Sequence, residues 1–346
     1  MIRRLTVAVL SLIPVVAGFE LLLRLGIPEN PKHWFEESQR SWKESSHRVL
    51  ILGDSFIEPG GELAPLLKQG LGEHDVAVRN LALGGTGPFE YLERLRSFID
   101  SHEEFPTVVL LSYYVGNDLT DVQNNPKYDA SGAGVAIRTL VPELWRLESK
   151  SWLDALYLTH FVRKHRKPVP PPQKPKLNWK ALEAAGYAPE RIDDARNSRM
   201  NSWLFALSKS NPNYLLDNIL METEENLAAW ERVKVLLSRI SKACSDRNAQ
   251  LLVVAFPRSV QLDRSHFEFF EGLKFNVDSR LLGCMRPQEL LADYCEQNRV
   301  PLLDLWPEFV RSNPAALYRE RDDHLNATGN QLAADLILPW VHEQLD

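Results

Sequence analysis

Hydrophobic positions along this chain fall into short unbroken runs separated by longer stretches with helical spacing. Val49-Leu50-Ile51-Leu52 is one such run, closed by Gly53-Asp54-Ser55-Phe56. Comparable runs occupy 107–113 and 250–256, and two further strands are expected over 76–81 and 300–306, where Arg79-Asn80 and Pro301 with Asp304 interrupt the apolar residues. Uninterrupted apolar segments of about four to eight residues bounded by turn formers predict strands buried on both faces. Helical spacing covers 61–70, with Pro65 tolerable only in its first turn, and 89–101, with Tyr91, Leu92, Leu95, Phe98 and Ile99 on one face. A third helix is expected over 223–246, with an inward stripe of Leu227, Trp230, Val233, Leu237 and Ile240. Pro287 introduces a fourth over 288–298, and a last one runs over 328–344. Strands alternating with helices predict an α/β fold whose parallel sheet is covered on both sides.

The alternation stops between 119 and 221. Asn124-Asn125-Pro126, Ser131-Gly132-Ala133-Gly134 and a tract with prolines at 168, 170, 171, 172 and 175 read as turns and extended linker, with a helix expected over 151–165. The region is read as an insertion lying over the site, either a lid or a peripheral subdomain. At the start of the chain, Arg3-Arg4 precedes an uncharged run from Leu5 to Phe19, which reaches spanning length of about twenty residues when Glu20 to Leu23 is included. The arginines favour a cytoplasmic N-terminus. Residues 1–28 are therefore read as a membrane anchor, with a cleaved signal peptide as the alternative. In both cases 29–346 is the working domain and lies outside the cytoplasm, on the periplasmic side if anchored and secreted if cleaved.

Composition narrows the choice. A formal net charge of −6 over 346 residues argues against a nucleic-acid binder, and three cysteines without Cys-x-x-Cys spacing suggest neither zinc nor a redox pair. The remaining candidate chemistry sits where the first three strands end. Ser55 follows the first, Gly84-Gly85 the second and Gly116-Asn117-Asp118 the third. In a parallel sheet those ends share one edge, so the turns can converge. Each has an ordinary structural explanation as a turn or cap; their joint placement points to chemistry. The Ser55 and Gly85 N–H groups and the Asn117 amide are suited to hold the negative oxygen of an acyl-transfer intermediate. Asp322-Asp323-His324 supplies the rest: His324 as general base for Ser55, and Asp322, with Asp323 as the fallback, to orient the ring. Asp54 and Asp323 are supporting carboxylates. No metal or other cofactor is required.

These residues resemble the SGNH (GDSL-type) hydrolases. The matching blocks are Gly53-Asp54-Ser55-Phe56, Asn80 with Gly85, Gly116-Asn117-Asp118 and Asp322-Asp323-His324-Leu325-Asn326, in the family's order. The resemblance implies a flavodoxin-like three-layer α/β/α sandwich, a serine esterase mechanism, and an oxyanion hole from Ser55, Gly85 and Asn117. One departure is that the common Asp-x-x-His form would put the acid at Arg321; the shorter Asp-x-His form fits Asp322. The anchor and the insertion look like membrane-tethered bacterial members. The expectation is an extracytoplasmic serine ester hydrolase or acyltransferase acting on an acylated small molecule or glycan. The alternative is a non-catalytic, membrane-tethered glycan-binding or scaffold protein, for which Trp152, Trp179 and Trp203 offer stacking surfaces.

Overall fold

The computed structural model describes residues 42–101, 104–123, 178–197 and 199–345. Of the two units into which the chain divides, the one formed by Ser46–Ile137 and Lys174–Asp346 holds the sheet. The expected membrane segment at 1–28, and the expected helix at 151–165, lie outside the described residues. No helix among the described residues is long and apolar enough to cross a membrane.

The five expected strands form as β1 (His47–Leu52), β2 (Val76–Asn80), β3 (Val108–Tyr114), β4 (Gln250–Phe256) and β5 (Leu302–Asp304). They make one parallel sheet in the order β2-β1-β3-β4-β5. The last strand is shorter than expected. Pro301 has no N–H to give the ladder, and Trp306-Pro307 already begins the next helix, Trp306–Arg311. The principal helices are α1 (Leu63–Gly72), α2 (Pro88–Ser101), α3 (Asp118–Gln123), α4 (Glu224–Ser245), α5 (Arg286–Asn298) and α6 (Ala327–Leu345).

Because side chains alternate across a strand, Val49, Ile51, Leu110, Leu252 and Val254 share one face. There they meet Leu67 and Leu71 of α1 and Ala333, Ile337 and Val341 of α6, all fully buried. On the opposite side α4 packs on β4 and against α2 and α3. The result is the expected three layers. Trp230, Val233, Leu237 and Ile240 of α4 are buried as expected, but Leu227 is exposed. The inward position in that first turn is taken by Asn226, whose N–H is capped by Thr223 Oγ1 and whose amide reaches Asp217 at 3.2 Å.

The described part of the insertion is helical, with Trp179–Ala184, Pro189–Arg196, Trp203–Ser210 and Tyr214–Ile219. Leu204, Phe205 and Leu215 pack with Val260, Phe267 and Phe270, so this segment builds a second core beside the end of β4.

The sheet order is the flavodoxin-like one, in which the crevice at the strand C-termini opens between β1 and β3, where the winding reverses. The register Ile51↔Leu110 and Leu110↔Leu252 brings the ends of β1, β3 and β4 to one edge. Gly53 makes the exit from β1 possible: a Cβ there would lie 2.7 Å from both Ile57 Cγ2 and Ser112 Cβ. Gly53→Ala is expected to lower stability by about 1–3 kcal/mol, as overpacking does elsewhere, and to displace Ser55. Denaturant unfolding midpoints check it; an unchanged midpoint would mean the turn has room the distances deny.

Candidate active site

The turn after β1 is built by Asp54. Its Oδ1 accepts the Phe56 N–H at 3.0 Å and its backbone carbonyl accepts the Ile57 N–H, so the turn projects Ser55 from the sheet edge. The bridge to the C-terminal loop spans 269 residues of sequence: Ser55 Oγ lies 2.8 Å from His324 Nε2. On the other side of the ring, Nδ1 lies 2.8 Å from Asp322 Oδ1. The ring also stacks on Phe56, with centroids 5.3 Å apart. Arg319 holds the loop from behind, donating its N–H to the His324 carbonyl. The structure thus brings Ser55, His324 and Asp322 into one hydrogen-bonded line.

Electrostatics poise the line. Burial alone would lower the His324 pKa, but the hydrogen bond and charge of Asp322, reinforced by Asp323 and Asp54, raise it from 6.5 to about 9. Asp322 is correspondingly held below the usual carboxylate range: burial works upward, and the bond and charge of His324 outweigh it. Asp54, completely buried, is raised to about 6, with Phe56, His324 and Asn117 partly offsetting the desolvation.

The other end of the site is a set of donors. The Gly84-Gly85 turn packs on Ser55, since a Cβ on Gly84 would lie 3.4 Å from Ser55 Cβ. Gly85 has φ +71°, which a side chain would disfavour. The Gly84 N–H is held by Glu58 Oε2 at 2.8 Å, whereas the N–H groups of Gly85 and Ser55 have no partner among the described residues. The Asn117 amide is steadied by Asp54 Oδ2 at 3.3 Å, which leaves its second hydrogen for another acceptor. Asp118 turns away from the crevice, accepting Tyr91 Oη at 2.9 Å and the Tyr114 N–H at 3.1 Å.

Asp323, the fallback acid, does something else. It points inward to Tyr114 Oη at 3.0 Å and forms an ion pair with Arg258, which is 1% exposed. Arg258 also donates to the Gly116 carbonyl at 2.6 Å and lies over the rings of Tyr214 and Phe270, about 5 Å from each centroid. One buried guanidinium therefore ties the loop of His324 to the loop of Asn117. Sequence reasoning missed this residue. Its signal was an arginine two residues past the buried run of β4, after Pro257, at the edge where the other loops meet. Glu58 was also missed; nothing but its distance from Ser55 marked it.

Beside Ser55 is a cleft of about 240 Å³, walled by the loop from Glu58 to Glu62 and by Arg319, Asp322, His324, Leu325 and Asn330. None of the insertion's described residues lines it. The insertion instead touches the base loop from outside, where Asp194 meets Arg321 at 2.9 Å. Asp322, Asp323 and His324 are the three-residue group among the described residues whose ligand atoms lie close enough to share an ion. Their atoms are already engaged with Ser55, Arg258 and one another.

No protein-family model and no curated protein matches the chain. Solved structures do align with it. A provisionally assigned SGNH hydrolase from Slackia heliotrinireducens is 12% identical, covers 85% of this chain and 97% of its own, and has a TM-score of 0.38. A catalytic mutant of an acetylxylan esterase from Geobacillus stearothermophilus is 12% identical over 85% of this chain and 94% of its own, with a TM-score of 0.40. A protein from Bacillus subtilis is 12% identical over 86% of this chain and 56% of its own, with a TM-score of 0.41. The roles of individual residues rest on this chain's own distances.

Proposed function

We propose that this chain is a serine ester hydrolase of the SGNH type that removes small acyl groups from O-acylated glycans through an acyl-enzyme. The observation that carries the reading is the line Ser55 Oγ–His324 Nε2–His324 Nδ1–Asp322, with 2.8 Å at each hydrogen bond. Ser55 Oγ attacks the ester carbonyl as its proton passes to His324. The carbonyl oxygen becomes negative facing the Ser55 and Gly85 N–H groups and the Asn117 amide. The bond from the carbonyl carbon to the alcohol oxygen then breaks, and His324 returns the proton to that oxygen. In the second half, His324 takes a proton from water, the hydroxide attacks the acyl carbon, and Ser55 leaves with the proton back on Oγ. A sugar hydroxyl in place of water gives acyl transfer by the same steps. Placement outside the cytoplasm is supported by Arg3, Arg4 and the apolar run that follows them.

A fluorophosphonate probe should label the protein once, on Ser55, and rapid quenching with an acetyl ester should show a mass increase of one acetyl group on the same peptide. Labelling elsewhere, or no labelling of folded protein, defeats the reading. The pH profile is a second check. The working base is neutral imidazole, so kcat/KM rises with pH by about tenfold per unit until His324 titrates, then levels off. With that titration at about 9, the plateau lies on the alkaline side. A plateau reached by pH 7 would show that Asp322 does not hold the proton on His324.

A further inference from the structure

The cleft beside Ser55 contains His324 and excludes Gly85 and Asn117. That asymmetry assigns it. The carbonyl oxygen must face the Gly85 and Asn117 donors, while the leaving oxygen must lie within reach of the proton on His324 Nε2. The cleft is therefore on the side of the departing alcohol, and the acceptor enters there in the second half-reaction.

Its walls are polar and acidic. Only Phe56 and Leu325 are apolar; Gly60 and Gly61 present backbone, and three carboxylates, Glu58, Glu62 and Asp322, face Arg319 and the His324 ring, which is neutral in the reacting form. Arg319 is already committed, 2.9 Å from Glu62 and 4.0 Å from Asp322, and Glu62 also receives the Asn330 amide at 3.2 Å. Glu58 is different. Its Oε2 accepts one backbone N–H, and among the described residues no cation pairs with it. Carboxylate oxygens accept and do not donate, so the cleft offers acceptors to hydroxyl or ammonium groups and repulsion to anions.

We infer that this cleft is the alcohol subsite, that it takes hydroxyl- or ammonium-bearing alcohols and rejects carboxylate-bearing ones, and that Glu58 is the residue that discriminates. The inference rests on the hydrolase reading and adds a charge selectivity to it. The volume of about 240 Å³ lies below the roughly 300–1,000 Å³ of pockets that hold drug-sized ligands, which suits one sugar ring and not a fatty chain.

The test uses O-acetyl methyl hexopyranosides that differ only at the exocyclic carbon: hydroxymethyl, aminomethyl or carboxylate. Phenyl acetate serves as a reference that shares the acyl group. The carboxylate ester should be at least about tenfold poorer in kcat/KM than the hydroxymethyl ester, equivalent to about 1.4 kcal/mol. The aminomethyl ester should equal or exceed the hydroxymethyl one, and added salt should narrow the spread. Glu58→Gln should bring the carboxylate ester within about threefold of the neutral one, whatever the variant's overall rate. Glu62→Gln, which releases Arg319, should move the ratio the same way. Equal rates for carboxylate and neutral esters, or a ratio unmoved by Glu58→Gln, overturn the inference. So does turnover of phenyl acetate with no turnover of any sugar ester. If phenyl acetate is untouched and Ser55 resists fluorophosphonate, the hydrolase reading itself has failed, and the subsite falls with it.

Discussion

Ser55→Ala should lower kcat/KM toward an acetyl ester by a factor on the order of 10⁴–10⁶ while leaving the protein's melting temperature nearly unchanged. The two halves of that expectation come from the same geometry. Among the described residues the side-chain oxygen of Ser55 hydrogen-bonds only with His324 Nε2, and the residue is half-buried at the edge of the cleft. Alanine keeps the Cβ, so no core contact is lost, and the turn remains fixed by the Asp54 bonds to Phe56 and Ile57. What disappears is the atom that attacks. His324→Ala should cost a similar factor, and the double variant should be little worse than either, because nucleophile and base act as a unit. Residual activity should come from the donors of Ser55, Gly85 and Asn117. Steady-state kinetics with thermal melts decide the matter. A Ser55→Ala protein that stays within tenfold of the parent would place the chemistry elsewhere.

The architecture was legible because its three central strands, β1, β3 and β4, are buried on both faces over most of their length. Such strands must be almost wholly apolar, and 49–52, 107–113 and 250–256 therefore stand out against any background. The meeting of Ser55, Gly85 and Asn117 on one edge follows from parallel topology alone. His324 and Asp322 needed the added chemical requirement that a serine nucleophile have a base and the base a partner. Illegible were the features whose meaning lies in distance. Leu227 fits the helical stripe by count and is displaced by Asn226, because a capping turn needed the inward position. In the sequence Arg258 looks like a surface charge and Asp323 like a spare acid for His324, and only the packing of Tyr114, Tyr214 and Phe270 around them turns them into a buried pair. The helices over 179–219 escaped notice because they are short and bury their apolar residues against 260–281, a partner that local periodicity cannot reveal.

Adjacent aspartates should give opposite phenotypes. Asp323→Ala should cost about 3–5 kcal/mol of stability, a fall in Tm of roughly 10 °C, because it strands a guanidinium that is 1% exposed and also leaves Tyr114 Oη without its acceptor. The Gly116 carbonyl and two aromatic faces remain to Arg258, but none of them carries the countercharge. Above about pH 9, where His324 is neutral and the ion pair no longer contributes, Asp322→Ala should barely move Tm, since its carboxylate is partly exposed and its partners, His324 and Arg319, reach solvent; at lower pH the loss of the pair should lower Tm. Above all it should reduce kcat by a factor on the order of 10⁴, comparable to loss of the orienting acid in other serine hydrolases. It should also carry the kcat/KM plateau to lower pH, because the bond and charge that raise His324 to about 9 are removed. Replacing the buried pair together, as Arg258→Met with Asp323→Leu, should recover much of the lost stability, because neither charge then lies unpaired. The single outcome that reverses the assignment is an Asp323 variant that melts normally but loses turnover, beside an Asp322 variant that keeps it. His324 would then be oriented from the interior, and Arg258 would belong to the chemistry and not to the scaffold.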